Sequence, residues 1–228
     1  MEHLELRVRL LDLDPTQHDL AAVARDLVSP DREDLVAWRA GRRRAARLVP
    51  LVVPAPAEPL RIDPDGTWLV TGGLGGVGLQ LARWLAERGA RHLLLTGRHG
   101  LAAAPATPQE RERTAVVEAL RAADVAVEVV AVDVADEPAM QALLATIPAD
   151  RPLRGVFHAA GVTHFEPLAT TSPATVHAVL RAKVAGARVL DRLTRDLDLG
   201  AFVCFSSAAA TWGAAGLAPY TATYKASF

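Results

Sequence analysis

Three side chains suited to proton chemistry stand in the order Lys183, Ser207 and Tyr220. Hydride delivery to a ketone leaves a developing alkoxide that needs a proton donor. A phenol whose pKa is lowered by a nearby ammonium can supply that proton. A serine hydroxyl can hold the carbonyl oxygen meanwhile. The plainer alternatives are that Ser206 and Ser207 cap a turn and that Tyr220 is a half-buried packing residue. Lysine usage singles out position 183. Of 25 basic side chains only Lys183 and Lys225 are lysine, and the basic residues nearest Lys183 (Arg181, Arg188, Arg192, Arg195) are all arginine. An amine whose pKa can fall and that fits beside a phenol accounts for the exception, because a guanidinium cannot replace it. Lys225 follows Tyr220 by five residues, which on a helix turns it about 140° away from the tyrosine. It reads as solvated.

The second chemical feature is Thr71-Gly72-Gly73-Leu74-Gly75-Gly76-Val77-Gly78, between an apolar strand and an amphipathic helix. Glycine in that place permits a tight turn and lets a pyrophosphate approach the backbone, and the helix N-terminus then offers free N–H groups. The next strand ends in Thr96-Gly97-Arg98, with no acidic residue to accept from a ribose 2′-hydroxyl. A guanidinium suits a 2′-phosphate, so the pattern points to NADPH, against the alternative of an ordinary surface arginine. Asp133-Val134, closing the third strand, is placed to meet the adenine edge, and Asp133 could equally cap a turn.

Alternating strands and helices position these residues. From Thr67 onward, strands are expected at TWLVTGG, 92–97, 127–134, 155–161 and 201–207. Helices are expected at VGLQLARWLAERG, at ERERTAVVEALRAADV, at EPAMQALLATI, along one long segment from Ser172 to Leu197, and after Pro219. Apolar strands separated by helices imply a parallel sheet covered on both faces, a doubly wound, Rossmann-like α/β domain. Ligands of such sheets bind at the carboxyl ends of the strands. The first 61 residues read as a small α+β annex: a strand at 6–13, a helix at 17–28, and a hairpin over 35–49 turning at Ala40-Gly41 with its arginines on the wet face. The proline-rich stretch 52–66 reads as a linker into the domain that occupies 62–228.

Composition limits the classes of function. Of 228 residues half are hydrophobic and 22% are charged, which excludes wholesale disorder. A net charge of −1 gives no bias toward nucleic acid or an anionic membrane. No run approaches the ~18 apolar residues of a membrane span, and the N-terminus lacks an uninterrupted signal-peptide core. The single cysteine, Cys204, excludes an intramolecular disulfide and a thiolate zinc cluster, so no metal is expected. A cytoplasmic protein is expected.

The motifs TGGLGGVG, VFHAAGV, AKVAGA and FSSAAATWG, with a tyrosine thirteen residues past Ser207 and a lysine 24 before it, occur in one order over nearly the whole chain. In this the sequence resembles the ketoreductase domains of modular polyketide synthases, in the short-chain dehydrogenase/reductase superfamily. The resemblance implies Tyr220 as general acid, Ser207 orienting the carbonyl and Lys183 lowering the tyrosine pKa. It implies that Ala159, Ala160 and Gly161 line the cofactor site and that His158 packs beside the nicotinamide pocket. The implied reaction is NADPH-dependent reduction of a β-ketoacyl thioester on an acyl carrier protein, with neighbouring synthase domains as partners. His164, in the loop after VFHAAG, is a candidate substrate contact. That loop lacks the Leu-Asp-Asp of B-type members, and Trp212 matches the tryptophan of A-type members, implying an L-hydroxyl product. Leu217 is neither the Gln nor the His usual there, which bears on control of an α-methyl centre. Tyr224 stands where the family has asparagine. Family members continue past the tyrosine helix with further sheet and a lid, so the fold is expected to be C-terminally incomplete. The first 61 residues are implied to be the tail of the family's structural subdomain. A redox-silent scaffold domain, favoured by Tyr224, and another short-chain enzyme such as a sugar-nucleotide epimerase are the rival readings.

Overall fold

In the computed structural model, residues 8–14, 20–52 and 60–226 are described, with the side chains of Trp212 and of residues 224–226 outside that description. The chain divides into two compact units that part between residues 57 and 58. Parts of the expected strand at 6–13, helix at 17–28 and linker at 52–66 therefore lie outside the described residues.

In the first unit, β1 (Leu10–Asp12) runs parallel to β2 (Leu35–Arg39), which pairs antiparallel with β3 (Arg42–Ala45), and α1 (Leu20–Leu27) lies between the first two strands in sequence. Both turn residues of the hairpin, Ala40 and Gly41, have positive φ (50° and 71°), as a two-residue turn matching strand twist requires. The arginines do not all face water. Strand alternation puts Arg42 and Arg44 outward, while the Arg43 Nε donates to the buried Asp26 carboxylate at 2.7 Å. Arg9 and the Trp38 indole also engage Asp26. Burial by itself raises this carboxyl's pKa, but the Trp38 and Arg43 hydrogen bonds and the two guanidinium charges bring it below the ordinary aspartate value.

The second unit is built on five parallel strands in the order β6-β5-β4-β7-β8: β4 is Thr67–Thr71, β5 His92–Gly97, β6 Ala126–Ala131, β7 Leu153–His158 and β8 Ala201–Cys204. Winding thus proceeds outward from β4 in one direction and then crosses back to β7, so the order reverses between β4 and β7. Alternation along the strands divides the core into two layers. Trp68, Val70, Leu93, Leu95 and Phe157 face α2 (Gly76–Glu87) and α3 (Pro108–Ala122). Leu69, Leu94 and Val156 face α4 (Glu137–Leu144) and α6 (Gly186–Thr194). This is the doubly wound sheet expected from the sequence.

Local signals set the helix ends. α3 starts on a capping box in which Thr107 Oγ1 accepts from the Glu110 N–H and the Glu110 carboxylate accepts from the Thr107 N–H. α2 stops where Gly89 takes φ +106°. The strands are shorter than their apolar runs. β6 ends at Ala131 because Asp133 turns the chain by accepting from the Ala135 N–H at 2.9 Å. β7 ends at His158 rather than Gly161, and β8 at Cys204 rather than Ser207. The expected single helix from Ser172 is interrupted: α5 (Pro173–Leu180) passes into a π turn (Arg181–Ala185) before α6. A short α7 (Ala209–Trp212), absent from the sequence reading, precedes α8 (Ala218–Ala226).

Gly155 lies opposite Trp68 in the β4–β7 register, and a Cβ on it would stand 2.2 Å from the Trp68 ring. Gly155→Ala is therefore expected to destabilise this unit by about 1–3 kcal/mol, the usual cost of overpacking. In urea unfolding the midpoint falls while the slope is unchanged.

Candidate active site

The switch between β4 and β7 opens a crevice at the carboxyl ends of those strands. Thr71 and His158, the last residues of the two strands, are register partners. The Thr71 hydroxyl lies 2.6 Å from His158 Nδ1. The glycine loop leaves directly from Thr71. Gly72 has φ +69°, and a Cβ there would stand 2.7 Å from the Ala160 backbone. A Cβ on Gly78 would stand 2.2 Å from the Gly72 carbonyl oxygen, so loop and helix meet at glycine-only distance. At Gly76 nothing lies within 4 Å of where a Cβ would be, leaving space beside the first turn of α2. The first N–H groups of a helix have no partner within it. These features fit a pyrophosphate held against backbone.

The remaining cofactor candidates gather along one cleft. Thr71, Gly72, Thr96, Arg98, Asp133, Val134, Ala160 and Gly161 line it. Gly73 binds the loop to the next strand by donating its N–H to the Thr96 carbonyl at 3.0 Å. Leu74 is buried in the core under the loop, and Val77 is exposed on α2. Ala159 donates its N–H to the Thr71 carbonyl at 3.0 Å, continuing the β4–β7 pairing one residue past the strand. Arg98 is exposed at the cleft mouth. Asp133 is held on both oxygens, by the Ala135 N–H and by Arg181 Nε at 3.0 Å. Burial raises its pKa, and the Ala135 hydrogen bond and the Arg181 and Arg98 charges more than offset this, leaving it below the ordinary aspartate value. The sequence names Arg181 only as an arginine beside Lys183, and nothing local marks it as the partner of Asp133, 48 residues away.

Lys183 lies in the π turn and is 5% exposed. Its Nζ donates to the Phe205 carbonyl at 3.0 Å, just beyond β8. Burial pushes this ammonium below the ordinary lysine value, and the neighbouring Cys204 thiol works against the shift. Ser207 follows two residues after Phe205, and its Oγ accepts from the Ala209 N–H at 3.2 Å, where α7 begins. With a lone pair so engaged, the hydroxyl proton is available to another acceptor. Tyr220 is half-buried in α8, a helix that packs against α5, α7 and the π turn. Lysine, serine and tyrosine are therefore carried by elements that meet at the carboxyl end of β8.

The loop after β7 is tied to the segment before Tyr220, because Glu166 donates its N–H to the Gly216 carbonyl at 2.9 Å. His164 faces Glu166, with Nε2 and Oε2 3.0 Å apart, so its ring is already engaged within the loop. Leu217 is half-buried in the same segment. The side chains of Trp212 and Tyr224 lie outside the described residues.

Comparison with known proteins shows the family of the chain and matches its fold. The sequence profile described as "KR domain" matches residues 66–226. Over 225 residues the chain is 40% identical to the pikromycin polyketide synthase component PikAIII of Streptomyces venezuelae, covering 97% of this chain and 14% of that protein. Among solved structures it is similar to PlmKR1, the ketoreductase from the first module of phoslactomycin biosynthesis in Streptomyces sp. HK803. That match has a TM-score of 0.78 and 42% identity, over 96% of this chain and 49% of that one. It is also similar to an A1-type ketoreductase, with a TM-score of 0.74 and 43% identity over 95% and 44% of the two chains.

Proposed function

The chain belongs to the KR domain family, the ketoreductases of modular polyketide synthases, and from that premise we propose that it reduces a β-ketoacyl thioester, borne on an acyl carrier protein, to the β-hydroxyacyl thioester with NADPH. The observation that carries the reading is the buried Lys183 amine held on the Phe205 carbonyl, two residues before Ser207 and beside the helix of Tyr220. In this reading the cofactor, when bound, supplies the hydride. Tyr220 gives its phenolic proton to the oxygen of the reduced ketone. The Lys183 ammonium favours the tyrosinate left behind, so the proton transfer costs less than from an unassisted phenol. The Ser207 hydroxyl donates to the same oxygen and fixes its direction. Tyr224 replaces an amide that would stand one turn beyond Tyr220, and a phenol there can still donate and accept, so proton return is slowed rather than abolished.

Cofactor choice follows from Arg98, an exposed residue lining the cleft, whose guanidinium fork suits a 2′-phosphate. Arg181 keeps Asp133 at the rim, where it can meet the adenine edge. Ala160 and Gly161 line the cofactor cleft, and Ala159 leads into them from its hydrogen bond to Thr71. The product is of the A type, with an L-hydroxyl. Its support is the absence of Leu-Asp-Asp after VFHAAG, the tryptophan at 212 and the similarity to an A1-type structure. His164 and Leu217 border the substrate side. The residues up to 61 are the tail of a structural subdomain, and neighbouring synthase domains and a carrier protein are the partners, in the cytoplasm. The curated relative exceeds this chain about sevenfold in length, since the match covers 14% of it.

The test uses the chain within its complete natural polypeptide, assayed with a diketide β-keto thioester. NADPH is expected to be oxidised with formation of the L-hydroxy product, and Tyr220→Phe is expected to lower kcat by about 10²–10⁴-fold, the range of general acid catalysis. A predominantly D-hydroxy product overturns the A-type assignment. No reduction at all leaves the scaffold reading standing.

Arg98→Ala separates the cofactor claim from the chemical one. The unmodified protein is expected to bind NADPH about tenfold or more tightly than NADH, the worth of a hydrogen bond to a charged group. The variant is expected to bind the two nearly equally by fluorescence titration.

A further inference from the structure

His158 is 1% exposed and engaged on both ring nitrogens. Nε2 lies 3.3 Å from the Lys183 carbonyl oxygen, which can only accept, so Nε2 carries the proton. Burial first, and then the Lys183 charge, push the His158 pKa down to about 4. The ring is therefore neutral at physiological pH, Nδ1 is an acceptor, and the Thr71 hydroxyl donates to it. The result is a directional chain of hydrogen bonds: Thr71 O–H to Nδ1, then Nε2–H to the Lys183 carbonyl.

That chain joins two parts of the site that the backbone does not connect directly. Thr71 is the residue from which the glycine loop departs. The Lys183 carbonyl sits inside the π turn, where the Gly186 N–H reaches back to the Arg181 carbonyl five residues earlier and also toward the Lys183 carbonyl itself, which shares its oxygen between that N–H and His158. A π turn inserts one residue into the α-helical ladder and rotates the residues it contains. Two close approaches hold it to the sheet. A Cβ on Gly186 would stand 3.2 Å from His158 Cε1, and a Cβ on Gly161 would stand 3.0 Å from Lys183 Cε. The Lys183 side chain is thus fixed at its tip by Phe205, along its stem by Gly161 and at its backbone by His158.

We infer that His158 is a positioning residue for the reduction: by donating to the Lys183 carbonyl it sets the π turn that aims the Lys183 amine at Tyr220, and through Thr71 it links that aim to the dinucleotide loop. It touches neither substrate nor cofactor in this role and exchanges no proton. The inference rests on the reductase reading and goes beyond it by assigning work to a residue outside the lysine, serine and tyrosine set.

The experiment again uses the complete natural polypeptide, with a β-keto thioester and NADPH. His158→Phe keeps the ring and removes both hydrogen bonds. His158→Gln places an amide N–H near Nε2 and keeps an acceptor for Thr71. In His158→Phe, kcat at saturating NADPH is expected to fall about tenfold, a part of what general acid catalysis supplies. The loss is expected in kcat, with the KM for the thioester unchanged, and His158→Gln is expected to restore kcat. A rate loss that merely follows the folded fraction, a rise in KM with kcat intact, or a Gln variant no better than Phe overturns the inference. If His158→Phe does not fold, Thr71→Val decides, since it withdraws the donor from Nδ1 and leaves the ring in place. A fall in kcat with KM unchanged then supports the inference and an unchanged kcat overturns it. No turnover by the unmodified protein overturns the reductase reading and this inference with it, whereas turnover by the unmodified protein with kcat unchanged in the variants overturns this inference alone.

Discussion

The second unit turns on the pairing of Thr71 with His158 at the place where strand order reverses. Two adjacent parallel strands there send their continuing chains to opposite sides of the sheet, which is what opens a crevice. The crevice is useful only if its two lips keep a fixed separation. Thr71 and His158 supply that constraint, as register partners whose side chains are hydrogen-bonded at 2.6 Å in a dry interior. One lip continues as the glycine loop and the other as Ala159-Ala160-Gly161. The loop at Gly72 packs against the backbone of Ala160 too closely for any side chain. A hydrogen bond in that interior is worth more than one in water, and leaving either partner unmatched costs more as well.

Electrostatics of the site follow from the same burial. Lys183 is the buried amine of the described residues, and its tip is satisfied by a backbone carbonyl instead of a carboxylate. A carbonyl orients the amine without bringing a formal charge of its own. His158, neutral beside it, adds no opposing charge. Along the cleft the arrangement is reversed: Arg181 and Asp133 neutralise one another, and the charge of the exposed Arg98 also reaches Asp133.

Much of this was legible in the sequence, for identifiable reasons. Apolar runs of strand length separated by amphipathic helices gave the sheet and its two covered faces, and a lone lysine among arginines marked the buried amine. What escaped reading was whatever depends on contacts distant in sequence. Asp133 ends β6 early through an N–H two residues on, yet its second oxygen is held by Arg181, 48 positions away. The π turn at 181–185 has no local sequence mark, because the segment RAKVA is as good an α-helix former as its neighbours, and what holds the turn is packing against His158 and Val134. Arg43 read as a wet-face arginine because alternation says which residues share a face but not that a buried Asp26 waits on the inner one. His164 read as a candidate substrate contact, and Glu166, two residues later, already engages its ring. The side chains that would speak to stereochemistry and proton return, Trp212 and Tyr224, stand on the sequence alone.

The central claim is that this chain moves a hydride from a nicotinamide to a ketone carbon. The most direct measurement is mass spectrometry of the β-hydroxyacyl product formed in the complete natural polypeptide from a β-keto thioester and NADPH carrying deuterium at both C4 positions. The account predicts one deuterium per product molecule, at the β-carbon, with none acquired from deuterated solvent at that carbon when unlabelled NADPH is used. Oxidation of NADPH without label in the product, or tight NADPH binding with no product, would contradict it.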